Sequence, residues 1–242
     1  MAIKRNSLLC FVALLLVILS GCKLENYFPM RAEIDNLEFV RVIGIDKSYE
    51  KPDHVRLTLL YISEESSKEV GGGGKNKGQS EGNGNVHTVI SEGRTVLEAI
   101  NIAQTFSERQ LFLGHMSVSI IGEDAAKEDL AKYIDFISRG LEARLSQSIY
   151  IAKGSTAEEF MVNSIQSYHS LPTVMQHLSG DNEITSTSGE IKLIELMNML
   201  DTKYAGIFIP AIRIAEGKSA QAQGEENTVD IELDGYAIID DN

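Results

Sequence analysis

The stretch EFVRVIGID, residues 38–46, is the part of the sequence that most clearly decides the fold. It is rich in β-branched and aromatic side chains, and its apolar positions alternate well enough to predict a β-strand. A polar turn at 48–53 separates it from HVRLTLLYIS at 54–63, a second strand of the same character. Because this connection is short and polar, we expect the two strands to form an antiparallel hairpin.

Strands and helices alternate after this hairpin. The predicted strands that follow are VHTVIS (86–91), LFLGHMSVSII (111–121), LSQSIYIAK (145–153), GIFIPAIRI (206–214) and TVDIELDGYAIID (228–240). Helical periodicity predicts helices that open near Thr95, at about 124–138, after Ser155 and at 190–200. Thr95 with Glu98, and Ser155 with Glu158, have the spacing of capping boxes. This alternation predicts a mixed α/β fold, a sheet with packed helices.

The predicted organisation is one main domain with an uncertain end. Residues 37–200 form an N-terminal α/β domain, interrupted by a flexible glycine-rich loop at 64–85. That loop has no Gly-Lys-Ser/Thr ending and no helix directly behind it, so a phosphate cradle is not expected there. Residues 201–242 are either closing strands or the start of a second, truncated domain, in which Pro210 indicates an edge or a bulge.

The first 22 residues have the pattern of an export signal. Lys4 and Arg5 precede the apolar run LLCFVALLLVIL at 8–19, which is shorter than the roughly 20 residues that a membrane span needs. The run ends in L-S-G-C, which is typical of a bacterial lipobox with cleavage before Cys22. We therefore expect a lipoprotein signal peptide at 1–21 and a lipid-anchored tether at 22–36.

Cys22 is the predicted site of lipid attachment. Its thiol would carry a diacylglycerol, and the new amino terminus an N-acyl chain. Acyl chains contribute about 0.8 kcal/mol per buried CH₂, and two chains hold a protein where one is marginal. The alternatives are a plain signal peptide with a chance cysteine, or an uncleaved apolar anchor. After cleavage Cys22 is the only cysteine, so the mature chain contains no disulfide.

The charge balance limits the partners. The formal net charge is −13, and loss of the two basic residues of the leader would make it −15. An acidic surface argues against nucleic acid and against electrostatic attraction to anionic lipid. The acyl chains, and not surface charge, would then hold the protein at the membrane.

No catalytic or metal-binding constellation is visible. None of the five histidines forms H-E-x-x-H, and no G-x-S-x-G is present. We interpret His115 as a core or turn residue, and Arg139 and Arg144 as capping and salt-bridging residues. Acidic pairs at 123–124 and 158–159 lie where helices start, which the helix dipole explains. The sequence therefore predicts a non-enzymatic binding or interaction domain without cofactor or metal.

The chain resembles the Ger(x)C family, the lipoprotein C subunits of spore nutrient germinant receptors. The similar motifs occur in the family's order: the lipobox at Cys22, EIDNLEFVRVIGIDK (33–47), EGRTVLEAI (92–100), LFLGHMSVSIIGEDAAKE (111–128), the two arginines Arg139 and Arg144, IYIAKG (149–154) and LDGYAII (233–239). Three features differ from the family. Lys23-Leu24 follows the cysteine in place of Trp-Asp, Gly140-Leu141 replaces Asp-Pro, and the chain stops at Asn242.

The resemblance implies a receptor subunit on the outer face of the spore's inner membrane. Such a subunit assembles with membrane-embedded A- and B-type subunits and acts in germination without an enzymatic step. It also implies a mixed α/β fold, with a further C-terminal domain in other members. The alternative is a solute-binding lipoprotein of a transport system, although such proteins usually need two lobes and a longer chain. A lipid-anchored hydrolase has no nucleophile constellation to support it.

Overall fold

The computed structural model describes residues 36–63, 85–139, 144–167, 171, 175, 189–202, 206–215 and 230–239. The predicted signal peptide, Cys22 and the tether up to residue 35 lie outside these residues. The same holds for most of the predicted loop at 64–85 and for residues 140–143. No helix in the described parts of the chain is both long and apolar enough to cross a bilayer.

Eight strands form one mixed sheet. They are β1 (Leu37–Lys47), β2 (Val55–Ser63), β3 (Asn85–Gly93), β4 (Gln110–Phe112), β5 (Val118–Gly122), β6 (Ser148–Ala152), β7 (Ile207–Ala215) and β8 (Asp230–Ile239). The order across the sheet is β3-β2-β1-β5-β6-β7-β8, and β4 pairs with the start of β1. The last two strands thus belong to the same sheet as the first.

The predicted hairpin is confirmed, because β1 and β2 pair in antiparallel fashion, as do β2 and β3. The centre of the sheet is parallel: β1 pairs with β5, β5 with β6 and β6 with β7. Every residue of β5 and β6 is buried, as expected for parallel strands covered on both faces. β8 then closes the sheet antiparallel to β7.

Helices cover both faces of the sheet. They are α1 (Val96–Thr105), α2 (Glu123–Arg139), α3 (Ala157–Ser167) and α4 (Leu193–Asp201). A first core contains side chains of α1, α2 and α4, and a second core on the opposite face contains side chains of α3. This arrangement confirms the predicted mixed α/β fold, and apolar burial on both faces stabilises it.

Local patterns predicted two helices well. Thr95 caps α1, because its Oγ1 accepts a hydrogen bond of 3.1 Å from the backbone N–H of Glu98. The predicted stripe of α2 is buried: Ala126, Leu130, Tyr133, Ile134 and Ile137. Helical spacing also predicts an apolar face that includes Leu97 and Phe106, but both side chains are exposed, and Phe106 follows the end of α1. Ala99 is buried in their place.

The single strand predicted at 111–121 is wrong. β4 ends at Phe112, a 3₁₀ turn occupies Leu113–His115, and β5 starts at Val118. β4 pairs with residues 37–39 of β1, whereas β5 pairs with residues 42–45. The turn therefore lets one segment contact β1 at two separate places, which an apolar run alone does not reveal.

The structure also decides two smaller predictions. The helix predicted from residue 190 begins at Leu193, because Ile191 still accepts a backbone bond from Ile149. Of the two alternatives predicted for Pro210, an edge or a bulge, the edge is excluded because β7 lies between β6 and β8, and the shift in the β7–β8 register between Pro210 and Ile212 agrees with the bulge. Both outcomes depend on pairing with other strands.

Candidate functional site

A cleft lies at the carboxyl ends of the central parallel strands. β1, β5 and β6 run in one direction, and α2 and α3 begin beyond the ends of β5 and β6. The chain leaves β1 toward β2 and leaves β5 toward β6, so the strand order reverses between β1 and β5. Open α/β sheets characteristically form a ligand crevice at such a point. Here the cleft measures about 390 Å³.

Asp46 is the central residue of this cleft. It lies near the end of β1 and is only 3% exposed. Its two carboxylate oxygens accept hydrogen bonds from the first turn of α3, from Ala157 N at 2.7 Å and from Glu158 N at 2.9 Å. Asp46 thus caps a helix that begins 111 residues later, and satisfies two N–H groups that the helix itself cannot.

Burial raises the pKa of Asp46 from 3.8 to about 6. The hydrogen bonds from Ala157 and Glu158 oppose this effect because they favour the charged carboxylate, but they do not cancel it. A carboxyl group with a pKa of about 6 changes its charge between mildly acidic and neutral pH.

The helix cap differs from the predicted one by a residue. Thr156 Oγ1 accepts from Glu159 N at 2.9 Å, and Glu159 accepts from Thr156 N at 3.3 Å, so the capping box is Thr156 with Glu159. The predicted pair, Ser155 with Glu158, does not form this cap. Ser155 Oγ is buried without a hydrogen-bond partner, and Glu158 is occupied elsewhere.

Carboxylates lie at the rim of the cleft, and they form hydrogen bonds with other groups of the same domain. Glu123 accepts from Lys127 at 2.6 Å and from Gly154 N at 2.8 Å, and these bonds lower the pKa of Glu123. Tyr49 donates to Asp124 at 3.1 Å, and burial together with this bond raises the pKa of Tyr49. The acidic groups therefore hold the ends of neighbouring elements together.

Arg56 extends this network to the next strands. Its guanidinium forms a double contact with the carboxylate of Glu158 and donates to Glu92 at 2.9 Å. Both contacts raise the pKa of Arg56, the bond to Glu158 most strongly. Although burial alone would raise the pKa of Glu92, bonds from Arg56 and Ser48 lower it. The Arg56 cation of β2 thus links β3 to α3.

The geometry limits what the cleft can bind. The start of α3 could attract a phosphate, but Asp46 already occupies its N–H groups. Among the described residues, no group of three or more His, Cys, Asp or Glu side chains is placed to hold a metal ion. The arrangement stabilises the junction of strands and helices, and its negative charge would favour a cationic group over an anionic one.

The predicted residues lie elsewhere. Cys22 is outside the described residues. His115 lies in the 3₁₀ turn, where its ring packs edge-on against Phe39 with centroids 5.0 Å apart and is tilted against Phe112 at 5.6 Å. Arg139 pairs with Asp135 at 2.5 Å on the surface of α2. The sequence did not identify Asp46 as a site residue; the only local signal was Gly-Ile-Asp at the end of a strand.

A mixed sheet with helices on both faces and an internally bonded acidic junction defines a mixed α/β domain. Residues 30–214 match the family model described as the spore germination protein N-terminal domain. The chain belongs to this family. The predicted resemblance is therefore confirmed at the level of the family.

One curated relative shows how far the similarity extends. The chain is 26% identical over 238 residues to YfkR of Bacillus subtilis (strain 168), which is named as a candidate spore germination protein. The match covers 98% of this chain but 56% of the relative, so the chain spans little more than half the length of that protein. No solved structure matches the chain significantly.

Proposed function

We propose that the chain is a lipid-anchored, non-enzymatic subunit of a spore nutrient germinant receptor. The observation that carries this proposal is the position of the family domain. Its match begins at residue 30, eight residues after Cys22 in L-S-G-C. A germination domain directly behind a lipidation motif is the arrangement expected of a subunit held at a membrane surface.

The anchor gives a physical reason for this arrangement. Confinement to a membrane raises the effective concentration of a domain toward partners embedded in the same membrane. The proposed partners are the A- and B-type membrane subunits of the receptor, and the proposed location is the outer face of the spore's inner membrane. With a net charge of −13, the domain itself gains no electrostatic attraction to anionic lipid.

The hydrogen bonds of the carboxylates in the cleft support a role without catalysis. A general acid or base needs a titratable group that can reach a substrate proton. Asp46 has the most strongly perturbed carboxyl pKa among the described residues, but both of its oxygens are bonded to the backbone of α3. Glu123 and Asp124 are likewise bonded to Lys127 and Tyr49. These groups are therefore better placed to hold the fold than to transfer protons.

The experiment compares spores that carry the wild-type chain with spores that carry Cys22→Ala. We expect the variant to lose membrane retention, association with the A- and B-type subunits, and most nutrient-triggered germination. Germination by a trigger that bypasses the nutrient receptors should be unaffected. Normal nutrient germination by a variant that is no longer lipidated would contradict the proposal.

The cleft itself favours one alternative, a solute-binding lipoprotein of a transport system. A crevice of about 390 Å³ at a topological switch point is a common ligand site. Titration calorimetry of the mature domain with amino acids and sugars separates the two functions. Saturable binding together with a transport defect in the deletion strain would favour the alternative, whereas a germination defect without such binding favours the receptor subunit.

A further inference from the structure

Among the described residues, β8 forms one edge of the sheet. β8 is last in the strand order, and its pairing partner within the sheet is β7. An edge strand exposes a row of backbone N–H and C=O groups, which readily pair with another strand. Proteins usually protect such edges with charges, proline, bulges or covering segments.

The two halves of β8 differ in this protection. The register with β7 shifts between Pro210 and Ile212, and on β8 Gly235 has φ +73°. In the first half, Glu232 pairs with Arg213, and Asp234 pairs with Lys153 at 2.7 Å. The second half, Tyr236 to Ile239, contains no charged residue and no proline. This half of β8 therefore carries neither of these two sequence protections.

The sheet face beside this half of β8 carries exposed apolar side chains, and the hydroxyl of Tyr236 on it accepts a hydrogen bond from Gly189 N. Phe208 lies directly opposite Ile238 in the β7–β8 ladder, and Tyr236 lies two residues along from Ile238, so all three share a face. They are 46%, 70% and 47% exposed, respectively. The same face continues into the second core through Ile212 and Ile231, which α3 helps to cover. The apolar layer of this face thus extends beyond the area that α3 covers.

We propose that residues 236–239 and the side chains of Phe208, Tyr236 and Ile238 form a docking surface for the C-terminal region of longer family members. That region would add a strand to the free edge of β8 and bury the three apolar side chains. Strand addition takes its affinity from main-chain hydrogen bonds, and the apolar side chains beside this edge would be buried with it.

The occupant follows from the comparisons. The family match ends at residue 214, before β8, but the alignment with YfkR covers 238 residues and so includes β8. That alignment covers 56% of YfkR, so further polypeptide belongs to the longer relative. Where that polypeptide follows the aligned region, it begins close to the segment that corresponds to β8, the final strand of the described sheet. A second copy of this chain is a poorer occupant, because a net charge of −13 on each copy opposes association.

Site-specific photocrosslinking tests this proposal in spores. Benzoylphenylalanine replaces Ile238 in one strain and Phe106 in a control strain, because Phe106 is also a large exposed side chain, at 67%, but lies at the end of α1. We expect Ile238, and not Phe106, to crosslink to a peptide from the family's C-terminal region. Crosslinks from position 238 to lipid alone, to a second copy, to an unrelated protein or to nothing would overturn the proposal.

Charge substitutions give an independent measurement. The crosslinked partner is quantified by affinity purification from strains with Ile238→Lys, Tyr236→Lys or, as the control, Phe106→Lys. We expect at least a tenfold loss of partner for Ile238→Lys and little change for the control, with similar melting temperatures because Ile238 is largely exposed. Recovery of the partner with Tyr236→Lys tests the same edge at a second position. Wild-type recovery by both edge variants would overturn the proposal. The proposed docking surface does not involve Cys22. A negative result in these experiments therefore says nothing against the proposed lipid anchor.

Discussion

Gly122 lies so close to the carboxylate of Asp46 that a Cβ on the glycine would overlap the Oδ1 atom. The contact joins the end of β5 to the end of β1, and Asp46 joins both to the start of α3. A side chain at 122 would push Asp46 away from the helix that it caps. This close approach makes glycine the residue that fits at the centre of the cleft.

Gly122→Ala should therefore destabilise the mature domain by about 1–3 kcal/mol, the usual cost of overpacking. The measurement is urea unfolding of the unlipidated chain. The control is the double-mutant cycle with Asp46→Ala, which removes the atoms that the new Cβ meets. We expect Gly122→Ala to cost clearly less in that background. An equal loss of unfolding free energy in both backgrounds would show that the contact between residue 122 and Asp46 does not affect stability.

The raised pKa of Asp46 predicts a specific dependence of stability on pH. The folded state binds this proton more tightly than the unfolded state, because burial raises the pKa of Asp46 from 3.8 to about 6. The resulting stabilisation is fully present below pH 4 and is lost as pH rises through 6. Its size is on the order of 3 kcal/mol.

Asp46→Asn isolates this contribution, because asparagine does not titrate. Unfolding free energies of both chains should be measured between pH 4 and pH 7. The substitution also alters the hydrogen bonds to Ala157 and Glu158, but that cost is nearly constant with pH. We expect the stability of the wild type relative to Asp46→Asn to fall across this range. Parallel pH profiles would refute the assignment.

Arg56 should matter far more than an arginine on an open helix surface. Arg56→Ala leaves Glu158 and Glu92 without their shared cation, and we expect a loss of about 1–3 kcal/mol in unfolding free energy. Arg139→Ala is the matched control, because Arg139 pairs with Asp135 but is 81% exposed. Its cost should remain below about 1 kcal/mol. Similar costs for both arginines would contradict the proposed network.

His115 should act in folding and not in sensing the nutrient. His115→Ala removes a ring that packs against Phe39 and Phe112, and aromatic pairs of this kind contribute about 0.5–1.5 kcal/mol beyond area burial. We expect lower stability but an unchanged nutrient concentration for half-maximal germination. A shifted nutrient response in a stably folded variant would instead place His115 in a germinant site.

Much of the fold could be predicted because its signals are local. The β1–β2 hairpin follows from alternation across a short polar turn, and α1 follows from Thr95 and the spacing of its apolar residues. The split of residues 111–121 could not be predicted in this way, because pairing with two parts of β1 decides it. Apolar residues suit a strand and a buried 3₁₀ turn equally well.

The candidate site was hidden for the same reason. Asp46 and Ala157 are 111 residues apart, and no local spacing relates them. The pattern near 155–159 correctly indicated a helix start, but it assigned the cap to Ser155 in place of Thr156. Cys22 is the opposite case. Its prediction depends on flanking residues alone, so the sequence provides the whole argument for it.

The intact mass of the protein extracted from spore membranes tests the lipid-anchored receptor subunit most directly. We predict a chain that begins at Cys22 and carries a diacylglycerol with an N-acyl chain, and we predict that Cys22→Ala abolishes this species. A mass equal to the whole 242-residue chain, or to a cleaved chain without lipid, would contradict the account. Membership of the germination family would then stand without an anchor at Cys22.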